Sequence, residues 1–276
     1  MTAMLLNPLR ILLRLLERLW LVVALFAIWW FASANSTSVY FPALSRIWDA
    51  LRRGVTDGTI RSDLAYSLTN IVIGILLATV VGAAVGIAVG ELEGLRRVLD
   101  PFLQFARSVP QSALIPIVIG ALGIGQAPKI YMIAFACVWP VLLNAIDGVR
   151  AIAPEVRDMA KAYRIPRRLW LRRMVLPAAM PQIMAGIRVA LAVGVVVMVV
   201  SEIFSATEGI GHFINNAGSV FDIPSAWAGT LIVGALGYVL SVAFVLVEKA
   251  TLGWYFKSAG TASGAARLRT RGKAAK

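Results

Sequence analysis

IVIGILLATVVGAAVGIAVG, residues 71–90, contains neither a charged residue nor a proline. A helix of about 20 residues rises about 30 Å, the thickness of a bilayer's hydrocarbon core. Small residues recur along it at every fourth position: Gly74, Ala78, Gly82, Gly86 and Gly90. Positions four apart share one helix face, so these residues form a smooth ridge along which a neighbouring backbone can approach closely. The stretch therefore predicts a membrane-spanning helix over about 65–90. Its ridge suits packing inside a helix bundle, with a subunit contact or a moving surface as the other uses.

Outward from this stretch, further apolar runs at 19–34, 111–124, 129–147, 179–204 and 226–248 predict six spans in an all-α polytopic membrane protein. The composition agrees, with 59% hydrophobic and 15% charged residues and a mean hydropathy of +0.79; soluble domains carry about 25% charged residues. Residues 4–18 mix leucines with Arg10, Arg14 and Arg18 ahead of the first run. Trp20, Trp29 and Trp30, and the lack of a clean small-residue cleavage site, favour a retained first span over a signal peptide. Pro101, Pro110 and Pro116 interrupt the third region, with Arg107 ahead of its apolar part. Six crossings put both termini on one side.

The net charge of +13 would suit nucleic acid in a soluble chain. Its distribution points elsewhere. Arg150, Arg157, Lys161, Arg164, Arg167, Arg168, Arg172 and Arg173 face only Glu155 and Asp158, and the end of the chain from Lys249 to Lys276 is basic without an acid. Basic loops flanking apolar spans mark the cytoplasmic side, so both termini are expected there and no nucleic-acid partner is expected. The other side receives 35–63, the turn at 124–128 and a loop at 205–225. Within 35–63, FPALSRIWDAL predicts a short surface helix. The expected organisation is an N-terminal amphipathic arm and first transmembrane helix over 1–34, an extracytoplasmic connection over 35–64, a core with five transmembrane helices over 65–250, including a loop at 150–177, and a basic cytoplasmic tail over 251–276. A lone Cys137 and a lone His212 leave neither a disulfide framework nor a dedicated metal site.

The loop APEVRDMAKAYRIPRRLWLRRMVLPAAMPQIMAGIR, from Ala153, is the most informative segment. Pro154 can open a helix on which Val156, Met159, Ala160 and Tyr163 fall at i, i+3, i+4 and i+7. Pro166 ends it and starts another turn holding Leu169 and Trp170. Two roles fit this periodicity equally: lying in the headgroup layer with arginines on phosphates, or inserting into a partner's groove.

Asp158-Met159-Ala160, with Arg164 at a glycine position and Leu176-Pro177, Pro181, Gly186 and Arg188 closing the segment, resembles the cytoplasmic loop of one importer family. Ser67-Leu68, Gly74, Gly82, Gly86, Pro101, Pro110, Ala113, Pro116, Gly123, Gly125, Gly148, Glu202, Gly209 and Gly211 extend the likeness over about 40–250. The chain resembles the membrane subunits of bacterial ATP-binding-cassette importers of the nitrate, sulfonate and taurine type. The resemblance implies a type I ABC importer permease fold in the bacterial inner membrane, with a cytoplasmic coupling helix in the loop. Glu155, Asp158, Met159, Ala160, Tyr163 and Arg164 would couple it to the ATPase. It also implies two ATP-binding subunits, a second permease subunit (a homodimer or a related chain) and an extracytoplasmic substrate-binding protein, importing a small solute such as an aliphatic sulfonate, taurine or nitrate. The chain has no GxxxxGK[ST] phosphate cradle, so no catalytic residue, metal or cofactor is assigned to it; ATP and Mg belong on the partner ATPase.

Ionisable and amide side chains in or near spans are the candidates for a translocation path or gate: Arg107, Gln111, Arg188 and Glu202. Arg188 and Glu202 stand about 21 Å apart along an ideal helix and cannot bridge each other. Arg188 either anchors the helix at the cytoplasmic edge or lends positive potential to the path. Glu202 either bonds the loop at 205–211 or gates. Two other classes fit less of the sequence: an ion-gradient-driven secondary transporter, for which Glu202 is nearly the only intramembrane acid, and a membrane assembly subunit with no path.

Overall fold

The computed structural model describes residues 8–205 and 207–255, with the side chains of 8–19, 22, 107 and 205 outside that description. The start of the N-terminal arm and most of the basic tail, 256–276, therefore lie outside the described residues. Every regular element described is helical. The chain divides into two units, one formed by the described part of 1–61 with Phe213–Thr230, the other by Ser62–His212 with the described part of 231–276.

In the first unit α1 (Pro8–Ser33) leads through a short turn to α2 (Leu44–Thr56), which buries Ile47, Ala50 and Gly54 at helical spacing. FPALSRIWDAL thus holds the surface helix its pattern predicts. The Ser33 hydroxyl accepts the Leu44 N–H at 3.2 Å. Trp227 donates its indole N–H to the Tyr40 carbonyl at 3.0 Å and meets the edge of Trp29 at a ring separation of 5.4 Å. Just before α3, the Asp57 carboxylate accepts the Thr59 hydroxyl and N–H, which holds its carboxyl below the usual range.

The second unit is built on α3 (Thr59–Glu91), α6 (Gln126–Arg150) and α9 (Leu176–Ser205). The glycine ridge of α3 lies directly on α6. A β-carbon at Gly74 would sit 2.6 Å from Ile133, at Gly82 3.0 Å from the Val138 carbonyl, at Gly86 2.6 Å from the Leu142 carbonyl and at Gly90 2.8 Å from Val149. The matched order of these contacts makes α3 and α6 parallel. On its other side α6 meets α9 antiparallel: Gly148 lies against Ala179, Gly186 against the Pro140 carbonyl and Gly194 against Cys137. The Cys137 thiol donates to the Ala190 carbonyl at 3.2 Å. The core between these helices includes Ile71, Ile133, Val141, Ala145, Val149, Ala179, Ile183 and Met198.

The expectation of six spans is met in part. Among the described residues four helices are long and apolar enough to cross a membrane: Thr59–Glu91, Gln126–Arg150, Arg167–Phe204 and Ile223–Thr251 (α11). The predicted span at 111–124 is instead one arm of a bent pair, Glu93–Ala106 and Gln111–Leu122, meeting at 79°. Pro110 lacks an N–H and follows the extended Val109, so α4 (Glu93–Ser108) stops there and a 3₁₀ turn, Gln111–Leu114, starts α5 (Ile115–Leu122). Because α3 and α6 are parallel, the segment between them must return across the same thickness, and the bent pair makes that fifth traverse. The predicted loop at 205–225 is likewise corrected, since Ile210–Ser219 forms a helix, α10. His212 lies on that helix and not in a loop.

Candidate functional site

All of the charged loop gathers at the end of the second unit where α3 and α6 terminate. Ala153 and Pro154 open α7 (Pro154–Ala162), which buries Ala160. Its end is a Schellman cap: Ile165 N–H donates to the Ala160 carbonyl at 3.0 Å and Arg164 N–H to the Lys161 carbonyl at 3.0 Å. Arg164 takes the left-handed position, with φ +49°, where glycine is ordinarily preferred. Pro166 then starts α8 (Arg167–Trp170), and a π-helical turn, Leu171–Val175, feeds α9.

Glu91 holds this knob to the bundle. One carboxylate oxygen accepts from Arg157 at 2.8 Å and the other from the Trp170 indole N–H at 2.8 Å. Arg157 also donates to the Val149 carbonyl at the end of α6, at 2.7 Å, and its guanidinium lies 5.9 Å from the Trp170 ring centroid. One carboxylate therefore ties α7 and α8 to α3, and its arginine partner ties α7 to α6. An acid at a helix C-terminus opposes the helix dipole, and this one is compensated by two charge-assisted bonds. The predicted apolar stripe is split by this docking. Val156 and Ala160 turn inward, whereas Met159 is 45% and Tyr163 78% exposed. Glu155 and Asp158 are exposed as well, Asp158 in a surface ion pair with Lys161.

The opposite end is organised around Glu202. Ser67, Asn70, Ser201 and Glu202 are all buried. Glu202 Oε2 accepts the Ser67 hydroxyl at 2.8 Å and the Gly211 N–H at 3.0 Å. Ser67 in turn accepts the Ile210 N–H at 2.9 Å, and Asp63 accepts the Gly209 N–H at 2.9 Å. Gly209 has φ +110°, and a β-carbon there would lie 2.5 Å from the Glu202 carboxyl carbon; one on Gly211 would lie 2.5 Å from the Val199 carbonyl. Between the two ends, a cavity of about 450 Å³ is lined by Gln111, Trp139, Pro140, Asn144, Asp147 and Val193.

The helices and the knob they carry match the family described as binding-protein-dependent transport system inner membrane component over residues 71–253, more than half of the chain. The chain belongs to this family. It is a permease subunit of an ABC importer, a class in which ATP is hydrolysed on a separate subunit. Among its relatives, the taurine transport system permease protein TauC of Escherichia coli K12 is 28% identical over 241 residues, covering 85% of this chain and 88% of that protein. The bicarbonate transport system permease protein CmpB of Synechococcus elongatus is 33% identical over 195 residues, 70% of each chain. A solved chain of the methionine ABC transporter MetNI in an inward-facing conformation shares the fold, with a TM-score of 0.61 at 14% identity, covering 71% of this chain and 97% of that one.

Within this permease the predicted residues separate into distinct places. Glu155, Asp158, Met159, Ala160, Tyr163 and Arg164 are brought together on α7 and its cap, with Ala160 alone buried. Gln111 lines the cavity between the two ends. Arg188 does not; it pairs with Glu248 of α11, while its neighbour Val189 faces that cavity. Glu202 lies in the buried cluster at the far end, and the Arg107 side chain is outside the described residues. Gln111, Arg188 and Glu202 thus lie in three separate places. Sequence reasoning missed Glu91, Asn144 and Asp147. Glu91 carried a readable signal, being an acid placed directly after an uncharged membrane-length run. Asn144 and Asp147 carried none, because which face of α6 borders a cavity depends on where α9 crosses it.

Proposed function

We propose that this chain forms half of a translocation pathway for a small oxyanion, with a second permease subunit, two ATP-binding subunits and an extracytoplasmic binding protein. Relatives are named for taurine and bicarbonate and for aliphatic sulfonates and nitrate, solutes that share a compact oxygen-rich head. The basic end faces the cytoplasm together with both termini, and α1 supplies a sixth crossing in addition to the four long helices and the bent pair. In domain terms, 65–250 is the permease core, 35–64 an extracytoplasmic connection and 251–276 a cytoplasmic tail.

The observation that carries this reading is the two-sidedness of α7. Its inner face is clasped to α3 and α6 through Glu91 and Arg157, and its outer face leaves Met159 and Tyr163 open beside Glu155 and Asp158. An apolar pair ringed by charge on a rigidly held short helix fits a groove on an ATPase. Movement of that groove would pass through the Glu91 clasp into α3 and α6, whose far ends bear on the cluster around Glu202. Gln111 and the polar face of α6 would then line the solute's route, Asn144 and Asp147 among them.

The test is copurification and coupling. Asp158→Ala with Tyr163→Ala is expected to lose the ATPase subunit, or to abolish the stimulation of its ATP hydrolysis by the loaded binding protein, while the chain still inserts and folds. A double variant that keeps both the complex and the stimulation rejects the docking assignment. Transport that persists without any ATPase would instead mark a gradient-driven carrier.

A further inference from the structure

A second cavity, of about 650 Å³, opens on the inner side of the α7 knob, between the end of α3 and the start of α8. Its walls are strongly basic, and most of the nearby carboxylates are already engaged. Of the two carboxylates on the wall, Glu91 is held by Arg157 and Glu93 by Arg97; nearby, Asp100 is held by Arg96 and Asp158 by Lys161. Arg150, Arg164 and Arg167 also line the cavity and make no ion pair with any described residue. Three free guanidinium groups on one concavity, each a fork of donors, match an oxyanion.

The depth of the cavity says which oxyanion. Residues 71–90 of α3 are uncharged and span about 30 Å, one hydrocarbon thickness, and Gly90 and Glu91 form part of the cavity wall. Arg150, the last residue of α6, lies on the same wall. The floor of the cavity is therefore at the level where lipid phosphates lie. Trp170, half of whose job is the bond to Glu91, adds an aromatic ring at that level, a position that indoles favour. The opposite face of α7, with Met159 and Tyr163, is left for another partner.

We propose that this cavity binds the phosphate of an anionic phospholipid headgroup, securing the base of the α7 knob to the membrane surface. A free phosphate would offer the same oxyanion, but only a lipid brings it to this depth with its tails in the bilayer. The proposal does not depend on what docks against Met159 and Tyr163.

The experiment uses the full-length chain in phosphatidylcholine nanodiscs containing a minor fraction of phosphatidylglycerol, with the lipids retained on release read by native mass spectrometry. Preferential retention of phosphatidylglycerol is expected. Arg150→Gln with Arg167→Gln should weaken that preference about fivefold for each charge removed. Arg150→Lys with Arg167→Lys should keep most of it. Arg172→Gln with Arg173→Gln, which removes the same charge outside this cavity, should leave it unchanged. Equal retention of the two lipids overturns the proposal, as does an equal loss in both glutamine pairs, which would mean a diffuse field and no site. Displacement of the lipid by inorganic phosphate overturns it in favour of a soluble anion. Should the glutamine pair fail to fold, a photoreactive phosphatidylglycerol headgroup on the parent chain decides: label within 150–170 supports the site, and label elsewhere overturns it.

Discussion

The two ends of the second unit each rest on one glutamate, and they use it differently. Glu202 is fully buried, and its partners are a hydroxyl and a backbone N–H in a turn too tight for any side chain at Gly209 or Gly211. Glu91 is paired with a guanidinium and an indole, and its ion pair remains 14% and 27% exposed. Bonds to a buried group are costly to lose, because the abandoned donors cannot turn to water. Bonds at a partly exposed interface can be remade with solvent more readily, so they hold a knob in place at a smaller cost to its movement. The contrast is between an end closed firmly and an end held by a more exposed clasp.

That contrast can be broken by substitution, most forcefully at the buried end. Glu202→Leu orphans the Ser67 hydroxyl and the Gly211 N–H and is expected to cost about 3 kcal/mol, seen as a large drop in the apparent melting temperature of the detergent-solubilised chain; melting with the parent would remove the distinction between the ends. Gly209→Ala should cost about 2 kcal/mol by the same assay, since its β-carbon must displace the Glu202 carboxyl at a φ of +110°. Glu91→Gln keeps an acceptor for Trp170 and loses the ion pair, so a loss of only about 1 kcal/mol is expected. Its signature is functional: ATP hydrolysis by the assembled complex should persist but no longer respond to loaded binding protein, and an undiminished response would show that the clasp transmits nothing. The smallest effect is expected for Arg164→Gly, which relieves the left-handed position and should change stability by less than about 1 kcal/mol, towards the stable side. Hydrogen exchange at the Ile165 amide, which closes the cap, is the sensitive readout, and faster exchange in the glycine variant would contradict the strain.

Much of this architecture was legible beforehand because lipid imposes it. An uncharged run such as 71–90 has few alternatives to a spanning helix, and its glycines had to meet another backbone. The loop at 150–177 was legible as a basic, two-turn knob because prolines and arginines punctuate it. The third span was not, since hydropathy reports that 111–124 is apolar and is blind to the 79° bend that Pro110 allows. Nor was the separation of Arg188 from the cavity, because a helix with apolar residues all round does not declare which neighbour each face will meet. Arg164 lies between these cases. Its place at a usual glycine position was readable, but only the Schellman bonds show that it accepts the glycine conformation.

The sequence by itself determined that the chain lives in a membrane, which of its ends is basic, and that no nucleotide cradle is built into it; these follow from counting apolar, charged and motif residues along one dimension. Only the tertiary structure decided that the glycine ridge of α3 lies on α6, that residues as distant as Ser67, Glu202 and Gly211 share one buried cluster, and that Glu91 reaches Arg157 and Trp170. Those outcomes depend on which helix faces come within van der Waals and hydrogen-bond range, and that selection is made by packing in three dimensions.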